Sequence, residues 1–171
     1  MESHDEERVI YKALNYGNST SYYNVKNLNT SLERLKSAGS ILFLLPGPKM
    51  IWQFGEIGYE ISIDYNGRLG RKPIKWNYLN ELNRKNIYDT WSYLISLRKK
   101  HSIFSDPQSK IDTWLNNSIK KIQYSLGKEN AILITNFDVK TLQTSVTLPS
   151  AGHWYHATLG EKIYIEDNEL D

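Results

Sequence analysis

Cysteine is absent from all 171 residues. That excludes disulfides, a thiol nucleophile and thiolate metal sites, and leaves the compartment open. An excess of charge of one sign is also missing. The formal net charge is only +2, too small to argue for nucleic acid or an anionic membrane as a partner. No apolar run approaches the roughly 20 residues a bilayer requires. The opening MESHDEER is charged and lacks the apolar core of a secretory signal. Internal repeats and low-complexity tracts are lacking too.

What is present is a globular composition, 40% hydrophobic and 23% charged, long enough for one core or two small ones. Twelve tyrosines and five tryptophans are the unusual feature. Such enrichment suits flat, amphipathic ligands such as sugars, and it also suits ordinary core and interface packing.

The chain is organised around residues 40–58, SILFLLPGPKMIWQFGEIG. Ile41 to Leu45 form an unbroken apolar run, Pro46, Gly47 and Pro48 stop it, and Met50, Ile51 and Trp52 resume it. A short apolar run between turn residues suits a central strand of a parallel sheet, with Pro and Gly at its start. Upstream, Thr30 and Glu33 match a capping box. Leu32, Leu35, Ala38 (or Gly39) and Leu42 then recur at helical spacing. The spacing predicts a helix over 31–44, ended by Pro46 and Pro48, and a strand over 49–53.

Val9 to Leu14 reads as a brief helical turn, and residues 15–29 as a polar loop. Residues 54–86 form a long segment punctuated by Asn66-Gly67, Gly70 and Pro73, with aromatics that argue for order. Ile87, Tyr88, Trp91, Leu94, Ile95 and Arg98 mark the clearest amphipathic helix, over 87–98. Its end, Arg98 to His101, complements the helix dipole. After Pro107 the style changes. Runs at 119–124, 131–136, 145–148, 154–157 and 162–165 are rich in Ile, Val, Thr and aromatics and read as short antiparallel strands. The closing EDNELD reads as an acidic turn rather than a strand.

Taken together, MESHDEER, a capped helix, PGPKMIWQFGEIGY, a GR…KPIKW segment and a helix ending SLRKKH resemble the last part of an α-amylase-family glycoside hydrolase, most closely bacterial members. The resemblance covers nearly the whole chain, most firmly residues 1–104. It implies α/β followed by all-β: residues 1–106 as the end of a catalytic (β/α)8 barrel, and residues 107–171 as an incomplete C-terminal β domain, a small antiparallel β-sandwich. It implies truncation at both ends, with Met1 an internal methionine of a longer protein. Asp5 matches the carboxylate that stabilises the transition state, and His4 matches the histidine that hydrogen-bonds the sugar being cleaved. Ser3 stands where many members carry Asn. The physics agrees, since barrel active sites sit at the C-terminal ends of strands and an oxocarbenium-like transition state is stabilised by a carboxylate.

The family's nucleophilic aspartate, acid/base glutamate and active-site arginine precede the His-Asp motif. The chain is therefore expected to be inactive alone, while the intact protein would act on α-glucan or maltooligosaccharide with retention. Neither nucleic acid nor a membrane is implied as partner. No cofactor or metal is expected in this chain, with calcium a candidate ion of the intact enzyme. A transferase or branching enzyme of the same family and a non-catalytic carbohydrate-binding or structural module are the alternatives.

Among other candidates, Glu56 reads as loop structure, Trp52 as core, and Tyr59 as a weak substrate contact at the rim. His153 and His156 fall on opposite strand faces, which disfavours a shared metal. Asp64, Asn66 and Asp89 do not form a calcium loop. A barrel end without its neighbouring strands should leave Met50, Ile51 or Trp52 poorly covered, and such an exposed apolar surface should associate.

Overall fold

The computed structural model describes residues 2–170. The fold is mixed α/β, with α1 (Val9–Tyr16), α2 (Leu28–Leu44) and α3 (Leu82–Lys100), then seven short strands among the described residues. These are β1 (Lys110–Trp114), β2 (Ile119–Leu126), β3 (Glu129–Asn136), β4 (Val146–Thr147), β5 (Gly152–His156), β6 (Glu161–Ile165) and β7 (Glu169–Leu170). All strand pairing is antiparallel, in a sheet β1-β2-β3 and two ribbons, β4-β7 and β5-β6. No closed barrel forms among the described residues.

Helix α2 begins three residues before its expected start. Asn27, not Thr30, caps it: the Asn27 side-chain oxygen accepts from the N–H groups of Asn29 and Thr30. Glu33 turns instead to Lys36, at 2.6 Å. Helix α2 then packs along α3 at a notable closeness. A Cβ added at Gly39 would stand 2.1 Å from Trp91 Nε1, so the indole takes the place of a side chain there. Trp91 also donates to the Leu35 carbonyl and meets the Phe43 ring edge-on.

Arg98, expected at the end of its own helix, in fact closes α2. Its guanidinium donates to the carbonyls of Phe43, Leu45 and Phe104. Those are groups that α2 and the turn at Ser102–Phe104 leave without helical partners.

The main core joins the helices to the three-stranded sheet. Leu32, Leu35, Phe43, Ile87, Trp91 and Leu94 pack with Ile103, Phe104, Ile122 and Tyr124. Strand β3 is apolar on both faces for that reason. Ala131 and Leu133 face the helical core, while Ile132 and Ile134 face a smaller core of Val146, Leu148 and Ile165. The runs at 119–124, 131–136, 145–148, 154–157 and 162–165 thus fall on β2 to β6.

Three expectations are corrected. Residues 49–53 form no strand. They are apolar enough for one, but no neighbouring strand offers them a ladder. Lys110–Trp114, not among the runs expected as strands, is an edge strand whose charges face outward on one side. The acidic end does turn, at Asn168 with φ 58°, but then pairs Glu169–Leu170 with β4. The expected strand stub near residues 1–3 falls partly on Met1, outside the described residues, and Glu2 and Ser3 are not in a strand.

Candidate functional site

The segment from Glu2 to Arg8 has no regular structure, yet its ends are held tightly. Arg8 is 2% exposed. Its guanidinium donates to Glu2 at 3.2 Å and to the Gln53 carbonyl at 3.0 Å. It also lies 4.9 Å from the centre of the Tyr59 ring and 5.7 Å from that of Trp52. The other Glu2 oxygen accepts the Val9 N–H at 2.8 Å, which places a carboxylate at the first turn of α1. Gly55 admits this carboxylate, since a Cβ there would stand 2.6 Å from Glu2 Oε1. Burial pushes the Glu2 carboxyl above its ordinary value, and the Val9 N–H and Arg8 only partly offset that.

Glu7 anchors the segment on its other side. It accepts from the Ser62 hydroxyl at 2.6 Å, the Ile63 N–H at 2.9 Å and the Arg8 N–H at 2.7 Å. Burial raises its pKa, but these hydrogen bonds outweigh burial and hold the carboxyl below the usual range.

Between the anchors stand His4 and Asp5. Their side chains are 65% and 73% exposed, with Nε2 and Oδ2 3.0 Å apart. The Asp5 N–H donates to Ser3 Oγ, so Ser3 does shape this turn. Arg68 donates to the Asp5 carbonyl at 2.5 Å. The His4 ring lies 5.9 Å from that of Trp52.

Trp52, expected as core, is instead half-buried and belongs to a cleft of about 470 Å³ lined also by Ile51, Phe54, Glu56, Trp76 and Tyr88. Phe54 holds φ at +63°, a left-handed conformation costly for a bulky residue. Its buried ring is fixed against Tyr59 and edge-on to Trp76. Arg84 secures the following turn. It donates to the carbonyls of Ile57 and Gly58 and to Glu60 and Glu81, and stacks 3.7 Å from the Tyr78 ring centre.

Of the residues singled out in the sequence, His4 and Asp5 are brought together at the surface. Glu56 lies on the wall of the aromatic cleft. Tyr59 is the exception: it is 1% exposed and donates its hydroxyl to the Pro73 carbonyl, so it stands in a core and not at a rim. The anchors Glu2, Glu7 and Arg8 were hidden in what reads as a charged terminus. No local pattern marks Glu7 and Arg8, because Gln53, Ser62 and Ile63 lie about fifty residues away, and Glu2 is drawn in through Arg8. Among the described residues no cluster of three metal-ligating side chains occurs, and no helix is long and apolar enough to cross a membrane.

Chemically, the turn presents the solvated carboxylate of Asp5 beside an imidazole and an indole, with the exposed Glu6 next to it in the chain. A carboxylate so placed can offset positive charge developing on a bound molecule. It cannot alone supply both the acid and the nucleophile of glycoside hydrolysis. No family model matches the chain, and no curated protein matches it.

Proposed function

We propose that this chain supplies the closing part of an α-amylase-like glycoside hydrolase that cleaves α-glucan linkages with retention. In this reading residues 1–106 are the last units of a (β/α)8 barrel and residues 107–171 belong to its C-terminal β domain. Asp5 stabilises the oxocarbenium-like transition state, and His4 hydrogen-bonds the sugar at the cleavage point. The nucleophile and the acid/base come from the rest of the longer protein.

The observation that carries the reading is the contrast within residues 2–8. Three charged side chains, Glu2, Glu7 and Arg8, are taken into the structure, whereas His4 and Asp5 stay solvated and side by side, followed by the exposed Glu6. A merely solvated terminus has no reason to spend a buried ion pair on fixing its backbone. The aromatic cleft at Trp52 lies next to this turn and suits a sugar face. Met50 and Ile51, 50% and 40% exposed, are consistent with a strand that pairs within a larger sheet.

The test is made on the longer protein encoded by the same reading frame, with reducing-sugar release from soluble starch as the readout. Asp5→Asn should lower turnover by about 10²- to 10³-fold, and the chain of residues 1–171 alone should release none. Near-normal turnover in the Asp5→Asn protein would remove the assignment.

A further inference from the structure

A second concavity lies apart from the cleft at Trp52. A groove of about 870 Å³ runs between the α1–α2 connection and the β3–β4 connection, with Tyr22, Tyr23, Arg34, Ser37, Asp138 and Thr141 on its walls. We propose that this groove is an accessory binding site for a neutral gluco-oligosaccharide, with Tyr22 as its stacking platform. The choice of glucose as the sugar, and of an α-linked chain, rests on the function proposed above.

Tyr22 is 98% exposed, and the chain is shaped to keep it so. The Thr20 N–H donates to the Tyr23 carbonyl at 2.7 Å, and the Thr20 hydroxyl accepts from the N–H groups of Tyr22 and Tyr23. A bridge between Ser19 and Asn24 closes the base of this turn. The phenol is thus carried on a fixed tip rather than a loose one.

The walls are also formed in advance. Arg34 donates to the carbonyls of Phe137 and Asp138 at 2.7 and 2.9 Å, and lies 5.8 Å from the centre of the Tyr23 ring and 5.9 Å from that of Phe137. Asn136 accepts from the Asp138 N–H and donates to the Lys140 carbonyl. The Ser118 hydroxyl donates to Asp138 at 2.8 Å. A connection without regular structure is therefore locked by side chains, which lowers the ordering cost of binding.

Charge and chemistry select the ligand. Glu33 and Asp138 are balanced by Arg34 and Lys140 along the lining, so the groove favours neither anion nor cation. An aromatic face beside hydroxyl, amide and carboxylate groups matches a pyranose, which is apolar on its faces and hydroxylated at its edge. The volume lies within the range of small-molecule sites, roughly 300–1,000 Å³.

The experiment titrates the chain with maltoheptaose and, separately, with cellohexaose, following backbone amide shifts and heat. Saturable binding is expected, with shifts concentrated at residues 20–23 and 136–142. Tyr22→Ala should weaken it by about tenfold, the scale of one lost aromatic stack, without moving the unfolding midpoint. Ser37→Lys, which fills the groove from α2, should abolish it, and Asp5→Asn should leave it unchanged. Absence of saturable binding by either sugar, or affinity unaltered in both groove variants, would overturn the inference. Binding of cellohexaose alone would keep the groove and count against the α-glucan reading. Groove binding by a chain whose longer parent hydrolyses no starch would sink the function and leave the inference standing.

Discussion

Two irregular stretches approach each other at Trp52, and they are ordered by different means. Residues 2–8 contain almost nothing apolar, yet Arg8 is as buried as the core and the segment is tied at Glu2, Glu7 and Arg8. Residues 49–53 contain Met50, Ile51 and Trp52, yet the first two are among the more exposed hydrophobic side chains. The Trp52 carbonyl closes a tight turn with Gly55, and the Gln53 carbonyl goes to Arg8. A polar segment can be fixed by a few charged side chains from its own chain. An apolar strand cannot, because its backbone groups need a neighbouring strand. Composition therefore misleads in both stretches: the charged one is anchored and the apolar one is open.

The largest expected effect tests the anchored side. Arg8→Met leaves Glu2 buried without its cation and the Gln53 carbonyl without a donor. It should cost about 3–5 kcal/mol, the usual result of breaking a buried pair by removing one partner. Urea unfolding with an unchanged m-value would measure it. The Glu2→Leu/Arg8→Met double variant should recover most of that loss. Burial already outweighs the pairing at Glu2, whose carboxyl is raised, so an apolar replacement forfeits little. A single-variant cost below 1 kcal/mol would erase the contrast between the two stretches.

Much of the fold is legible in the sequence, and the illegible parts share a cause. Helices α2 and α3 follow from apolar spacing, and β2, β3, β5 and β6 from short β-branched and aromatic runs between turn residues. Strand β1 was missed because KIDTW alternates charge with apolar side chains only weakly and owes its strand to pairing with β2. The strand expected over 49–53 failed for the reverse reason, since its composition is right and its partner is lacking. His4 and Asp5 stand out in the sequence only through the order of motifs around them, and their role is the one proposed above. Nothing local marks Arg8, because its burial depends on Gln53 and Tyr59. Tyr59 reads as a rim residue because Gly55 and Gly58 open a loop beyond the expected strand. The fold instead uses it as a ring beneath Arg8 and a donor to Pro73.

A smaller effect separates the two carboxylates that anchor residues 2–8. Glu7 has a folded pKa below its ordinary value of 4.5. It therefore adds stability above that value and loses it as pH falls through the folded pKa. The gap in urea midpoint between the wild type and Glu7→Gln should be widest above the ordinary value of 4.5 and should close as pH falls below it through the folded pKa. Glu2 is raised above 4.5, so the sign reverses. The folded state takes up its proton more readily, and the wild type should gain on Glu2→Gln as pH falls through that raised value. Parallel pH trends for the two variants would mean that both carboxylates are held in the same way, contrary to their hydrogen bonds.

The smallest expected effect lies in the open stretch. Ile51 is 40% exposed and borders two shallow clefts. Ile51→Ala in the chain of residues 1–171 should therefore cost about 1 kcal/mol or less, because little area returns to water and no closed cavity is left. In a barrel the same side chain would be covered by neighbouring strands and helices. Large-to-small substitution there costs about 2–5 kcal/mol. Measuring Ile51→Ala by urea unfolding in both proteins thus tests the reading of residues 49–53 without any enzyme assay. A cost rising severalfold in the longer protein would mean that this stretch gains its strand from sequence outside residues 1–171. Equal small costs in both would mean that it stays open, and the barrel reading would then lose the stretch around which it is organised. A cost above 2 kcal/mol in the shorter chain would mean that Ile51 is already core, and the contrast with residues 2–8 would fall.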